Sequence, residues 1–135
     1  MGAGGVAVDN SDNLYAFGTN YILKSNSSGT AQWQRTTAST TNWRAATFDS
    51  SDNIYITGDY SNDLVVTKYN SSGTEQFTRK LSLSSYFIRG RGIGLDSSGN
   101  IYVSGNFRPV SGGSNNNGAV TVSYTHLTLP TKRIV

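Results

Sequence analysis

The strongest constraint on this chain is that it repeats itself. VAVDNSDNLYAFG, from Val6 to Gly18, returns as TFDSSDNIYITG from Thr47 to Gly58 and as IGLDSSGNIYVSG from Ile93 to Gly105. The anchoring aspartates, Asp9, Asp49 and Asp96, stand 40 and 47 residues apart. A second motif alternates with the first: LKSNSSGTAQWQR from Leu23 matches TKYNSSGTEQFTR from Thr67, with Lys24 over Lys68, Gly29 over Gly73 and Trp33 over Phe77. A period of this length marks a repeat architecture, in which each unit buries its apolar face only against its neighbours.

Each half-unit reads as strand, turn, strand. Val6, Ala7 and Val8 meet the cluster Asp9 to Asn13, then Leu14 to Phe17 and a closing Gly18. Asp opens such a turn by accepting backbone N–H groups two residues on, and Asn or Gly near its end tolerates positive φ. Four strands in some forty residues is the size of one propeller blade, and no 3.6-residue apolar stripe argues for a helical solenoid. Ile54, Tyr55, Ile56 and Thr57, like Ile101, Tyr102 and Val103, are bulky on both faces, as expected of strands covered on both sides. The expected fold is all-β: a partial β-propeller of about two and a half to three four-stranded antiparallel blades, with units near 4–36, 45–80 and 91–121.

The pattern stops near residue 121. A third strand is expected from about Ala119, followed by an Asn-Ser-Ser-Gly turn, but the chain ends instead in VSYTHLTLPTKRIV, Val122 to Val135, which has no counterpart in the earlier units. This string resembles the frame translation of a transposase sequencing adapter, as found at the ends of assembled environmental gene fragments, and is expected to be a non-native tail. Residues 1–121 then carry nine Lys and Arg against eight Asp and Glu, so no basic stripe points to nucleic acid or an anionic membrane. No apolar run is long enough to span a bilayer as a helix. Met1 lies directly before a blade strand, so the native start is expected upstream.

The quoted residues resemble the bacterial beta-propeller repeat SBBP, whose units run from a strand ending in Val-Asp through a Ser-Ser-Gly-Asn turn to Ile-Tyr-Val-Thr-Gly, then a Val-x-Lys-Tyr-Asn strand, an Asn-Gly turn and a strand beginning with Trp. VAVDNSDNLYAFG, GLDSSGNIYVSG and LVVTKYNSSGTEQFTRKL follow it, over almost all of residues 1–121. NHL repeats share the first half of the pattern but not the second. The first unit departs in its short connection, Gly18 to Tyr21. The resemblance implies a piece of a larger exported or surface bacterial protein, in which the propeller is a non-catalytic scaffold or binding platform for protein or glycan. Its first partners would be neighbouring blades of the same chain. The alternative is the propeller part of a hydrolase- or lyase-type enzyme with its catalytic residues elsewhere.

Catalytic groups are scarce. The chain has no Cys, and its single His, His126, falls in the tail. Asp9, Asp12, Asp49, Asp52 and Asp96 lie in turns, and nothing selects a carboxylate pair for glycoside hydrolysis. The series Asp9, Ser11, Asn13 and Asp49, Ser51, Asn53 places oxygens at alternate positions as calcium loops do, but the Gly at position six and the Glu at position twelve are missing. Turn geometry is the expected role, with no metal, cofactor or enzymatic activity. Candidate ligand contacts lie in the connections Thr37 to Arg44, Ser84 to Arg91 and Arg108 to Asn117. Arg44 and Arg91 both stand five residues before a turn aspartate, so they are expected to project from one side, near the central channel. With Trp43, Tyr86 and Arg89 they form a candidate patch in which arginines hold anionic groups and aromatics stack on sugar rings. The favoured reading instead pairs the arginines with carboxylates or has them cap carbonyls, and packs Trp43 between blades. Gly4 occupies the corresponding place in the first unit.

Overall fold

A computed structural model describes residues 4–37, 40–111, 118–124 and 131–134. It contains three four-stranded antiparallel sheets, and in each the spatial order follows the chain. The first sheet is β1 (Gly5–Val8), β2 (Leu14–Gly18), β3 (Tyr21–Ser25) and β4 (Ala31–Thr36). The second is β5 (Thr41–Phe48), β6 (Ile54–Tyr60), β7 (Asp63–Tyr69) and β8 (Glu75–Leu81). The third is β9 (Tyr86–Leu95), β10 (Ile101–Pro109), β11 (Gly118–Tyr124) and β12 (Thr131–Ile134). There is no helix among the described residues, and no sheet closes on itself. The sheets are successive blades of an incomplete propeller. β5 packs on β1 and β2, and β9 on β5, β6 and β7.

The period-two alternation decides which side chains enter which interface. Tyr15, Phe17 and Ile22 of the first blade meet Trp43, Ile54, Ile56, Val65 and Tyr69 of the second. From the opposite face of the second blade, Tyr55, Leu64, Val66 and Leu81 meet Ile88, Ile101, Val103 and Val122 of the third. The second blade is thus buried on both faces, which is why β6 is apolar at consecutive positions. Trp33 and Phe77, equivalent in the repeat, pack at the rims of the two interfaces.

The outer faces lack such cover. Leu14 is 46% exposed where its equivalent Ile54 is fully buried, and Tyr102 is 43% exposed where Tyr55 is 5%. Val6, at 83%, is the most exposed large apolar residue among those described. The short first unit is resolved simply: its β2–β3 hairpin has two turn residues, Thr19 and Asn20, as the longer β6–β7 hairpin has Ser61 and Asn62. The third strand near Ala119 is β11, which runs on into Val122–Tyr124, and β12 comes wholly from the last fourteen residues. His126 and residues 112–117 of the third connection, with Asn115 to Asn117, lie outside the described residues.

Candidate functional site

The site is built from the turns outward. In each first hairpin the leading aspartate caps its own turn: Asp9 Oδ1 accepts the N–H groups of Ser11 at 3.0 Å and Asn13 at 2.9 Å, and Asp49 and Asp96 repeat the arrangement. Their oxygens are therefore engaged by turn donors. At Asp49 these bonds, led by that of the Asn53 side chain, outweigh a desolvation that acts the other way, and hold the carboxyl below its ordinary range. Asp96 is lowered likewise, first by Asn100. Among the described residues no group of three or more His, Cys, Asp or Glu is placed to hold a metal.

The turns also join blades. Asp52 Oδ1 accepts both the backbone N–H and the side-chain amide of Asn10, each at 2.9 Å, and Asp52 Oδ2 accepts the Ser11 hydroxyl at 2.5 Å. At the other end, the Ser71 carbonyl accepts Lys24 Nζ at 2.9 Å and Trp33 Nε1 at 3.0 Å, and the Gly73 carbonyl accepts Arg35 Nε at 2.6 Å. Sequence reading missed these clips, though it had one signal. Asp12 and Asp52 take φ of +63° and +60°, a region glycine adopts more easily, and Gly99 occupies it in the third unit. An aspartate kept there points to a use for its carboxylate. Where Gly99 replaces it, the second and third turns flank a cleft of about 550 Å³ between Phe48–Ser51 and Leu95–Gly99.

Arg44 and Arg91 occupy equivalent β-bulges. Trp43 pairs with Gly58 and Ala45 with Thr57, leaving Arg44 unopposed; Gly90 pairs with Gly105 and Gly92 with Ser104, leaving Arg91 unopposed. A bulge re-aims one side chain out of the alternation. Arg44 Nε lies 2.6 Å from Asp59 Oδ1, and the buried Asp59 also accepts Asn42 Nδ2 at 2.9 Å. Asn42 Oδ1 accepts the Thr19 hydroxyl, so a polar relay runs from the first blade to Arg44. Arg91 Nε is 3.4 Å from Asn106 Oδ1, the position equivalent to Asp59, in a longer contact with no countercharge among the described residues.

The other predicted residues are dispersed. Trp43 is turned away from Arg44 into the first interface, where it is 2% exposed. Arg89, half-buried, borders a small recess with Phe87 and Arg108. Tyr86, exposed, packs edge-on against Phe107 with ring centroids 5.4 Å apart. A cavity of about 200 Å³ adjoins Trp43 on the second sheet, bounded by Tyr60, Thr67, Glu75, Thr78 and Lys80 among others. Sequence reading did not single it out, because its residues come from four strands that only the fold brings together.

Residues 76–106, which run from β8 through β9 into β10, match a family model. It is the SBBP beta-propeller repeat. The match takes in the third Asp-Ser-Ser-Gly-Asn turn and the Arg91 bulge. A crystal structure of a protein of unknown function from Bacteroides caccae is similar in fold, with a TM-score of 0.58 at 13% identity. The superposition covers 96% of this chain and 58% of that one, so this chain spans a little over half the length of that structure. No curated protein matches the chain in sequence.

Proposed function

We propose that this chain is a non-catalytic propeller segment of a larger exported or surface bacterial protein, serving as scaffold and binding platform. The observation that carries the reading is the exposure of repeat-equivalent positions: apolar side chains buried in the second blade stand uncovered at both ends of the stack, as they would if further blades continued it. The polar inventory supports the same reading, since the turn aspartates and the Lys24, Trp33 and Arg35 donors are engaged in holding turns and blades together. Of the two residues aimed by the bulges, Arg44 is already held by Asp59. Arg91, with no carboxylate partner among the described residues, is the better placed to hold an anionic group on a protein or glycan.

Array binding tests this reading, with the chain displayed against acidic peptides and sulfated or carboxylated glycans. Binding should fall in Arg91→Ala and in high salt. Equal binding by wild type, Arg91→Ala and Arg44→Gln would retire the platform, and hydrolysis of any arrayed ligand would overturn the non-catalytic reading.

A further inference from the structure

The outer face of the third sheet gathers three arginines with no acid among them. Arg89 pairs across the strands with Asn106, and Phe87 with Arg108. Ile88 and Phe107 pack toward the second blade, so by alternation these four residues lie on the face turned away from it. Arg91, set out of the alternation by its bulge, reaches the same Asn106. At the equivalent places the second blade has Asn42, Arg44, Asp59 and Ser61, and there one carboxylate meets one guanidinium. In the third blade three guanidiniums surround a neutral amide. Like charges so placed repel one another, and an anion in their midst reverses that cost.

The three side chains are free to meet one. The ion pairs among the described residues engage Lys24, Arg44 and Lys68, and none involves Arg89, Arg91 or Arg108. Arg91 and Arg108 are exposed and Arg89 is half-buried. Arg91 makes only the long contact through Nε. Arg108 stands with its guanidinium carbon 5.0 Å from the centre of the Phe87 ring, which fixes its position without using an N–H on an acceptor. Arg89, Asn106 and Arg108 border a recess of about 20 Å³, room for about one oxygen. This end of a blade also stays open when another blade is added, since Arg44 keeps 23% of its side-chain surface with the third blade in place.

We infer that Arg89, Arg91, Arg108 and Asn106 form a binding site for a tetrahedral oxyanion carried as a sulfate or phosphate monoester. The site rests on the anion-holding role of Arg91 and names the chemistry of what is held. A carboxylate offers two oxygens in one plane and is satisfied by one guanidinium fork. Three forks around one amide suit an acceptor whose oxygens point several ways, one into the recess and the others toward Arg91 and solvent. Asn106 Nδ2 adds a neutral donor.

The chain is titrated at constant ionic strength with the sulfate and phosphate monoesters of glucose and with glucuronate, and the arginine Nε–H and Asn106 amide resonances are followed. At least one monoester should shift them saturably and bind more tightly than glucuronate; the tighter of the two identifies the ester. Arg108→Gln should weaken that binding about ten-fold, the effect of losing one charged hydrogen bond. Asn106→Asp gives the third blade the acid that the second has at Asp59, and should abolish binding without lowering the urea midpoint. No saturable shift, glucuronate bound as tightly as either monoester, or undiminished binding in a folded Asn106→Asp would overturn the inference. Monoester binding lost in Arg108→Gln but kept in Arg91→Ala would uphold the recess while the bulge-arginine reading fails, and glucuronate binding lost only in Arg91→Ala would do the reverse.

Discussion

Asp52 shows how much one side chain can reveal. It holds a left-handed backbone conformation and uses the carboxylate thus positioned to grip Asn10 and Ser11 of the preceding blade. Those bonds, that of the Ser11 hydroxyl first, hold its carboxyl below the ordinary 3.8, as the turn donors hold Asp49 and Asp96. A carboxyl lowered in the folded state binds its proton first in the unfolded chain, so its stabilisation is complete above the ordinary value and is lost as pH falls through the folded one. Urea midpoints should therefore hold steady from pH 7 to about 5 and drop below about 4. Asp52→Asn should flatten part of that acid slope while leaving the rest to Asp49 and Asp96. An identical slope in the variant would deny Asp52 its linking role. The capping aspartates were legible in the sequence because an Asx turn is local. Asp59 was not, since nothing near it in the chain announces Arg44 or Asn42.

The hairpin is the element at which pattern and fold agree best. Alternation, a turn cluster and a closing glycine lie within a few residues of each other, and the paired strands follow them closely. Gly58 shows why that glycine is needed: a Cβ there would lie 1.8 Å from the Asn42 carbonyl oxygen, beside the Arg44 bulge. The bulges themselves were not legible, because an extra residue in one strand shows only against its partner. Gly29 and Gly73 allow a comparison between elements. Both turn at φ +83°, but a Cβ on Gly73 would meet Trp33 and Arg35 at 2.7 Å, whereas one on Gly29 would meet nothing within 4 Å. Gly29→Ala should cost about 1–2 kcal/mol from the backbone alone. Gly73→Ala should cost more, because it also disturbs the joint between blades. Equal losses in chemical denaturation would mean that the joint adds nothing at that turn. β11 and β12 teach a different lesson. Alternation in AVTVSY suffices to fill the place beside β10, with Val122 buried, although no repeat motif marks the segment.

At the scale of the whole stack, repeat-equivalent apolar residues differ in whether a neighbour covers them. Ile54→Ala should cost about 2–5 kcal/mol, as for a buried aliphatic side chain, and Leu14→Ala should stay within about 0.5 kcal/mol. A large loss at Leu14 would mean that its face is already covered. The uncovered faces should also make the chain associate as its concentration rises, and Val6→Lys with Tyr102→Lys should reverse this in light scattering without lowering stability. Blade architecture was legible from the period alone. Which charges would meet across blades was not, because that depends on how far each blade turns from the last.

The clips between the first and second blades have a direction. Asn10, Ser11, Lys24, Trp33 and Arg35 all give protons forward, and Asp52, Ser71 and Gly73 all receive them. Two leading faces brought together would set acceptor against acceptor, as Asp12 and the carbonyls of Ser27 and Gly29 occupy the receiving positions of the first blade. At this interface such a vector favours adding blades nose to tail over packing two leading faces in a two-fold symmetric pair.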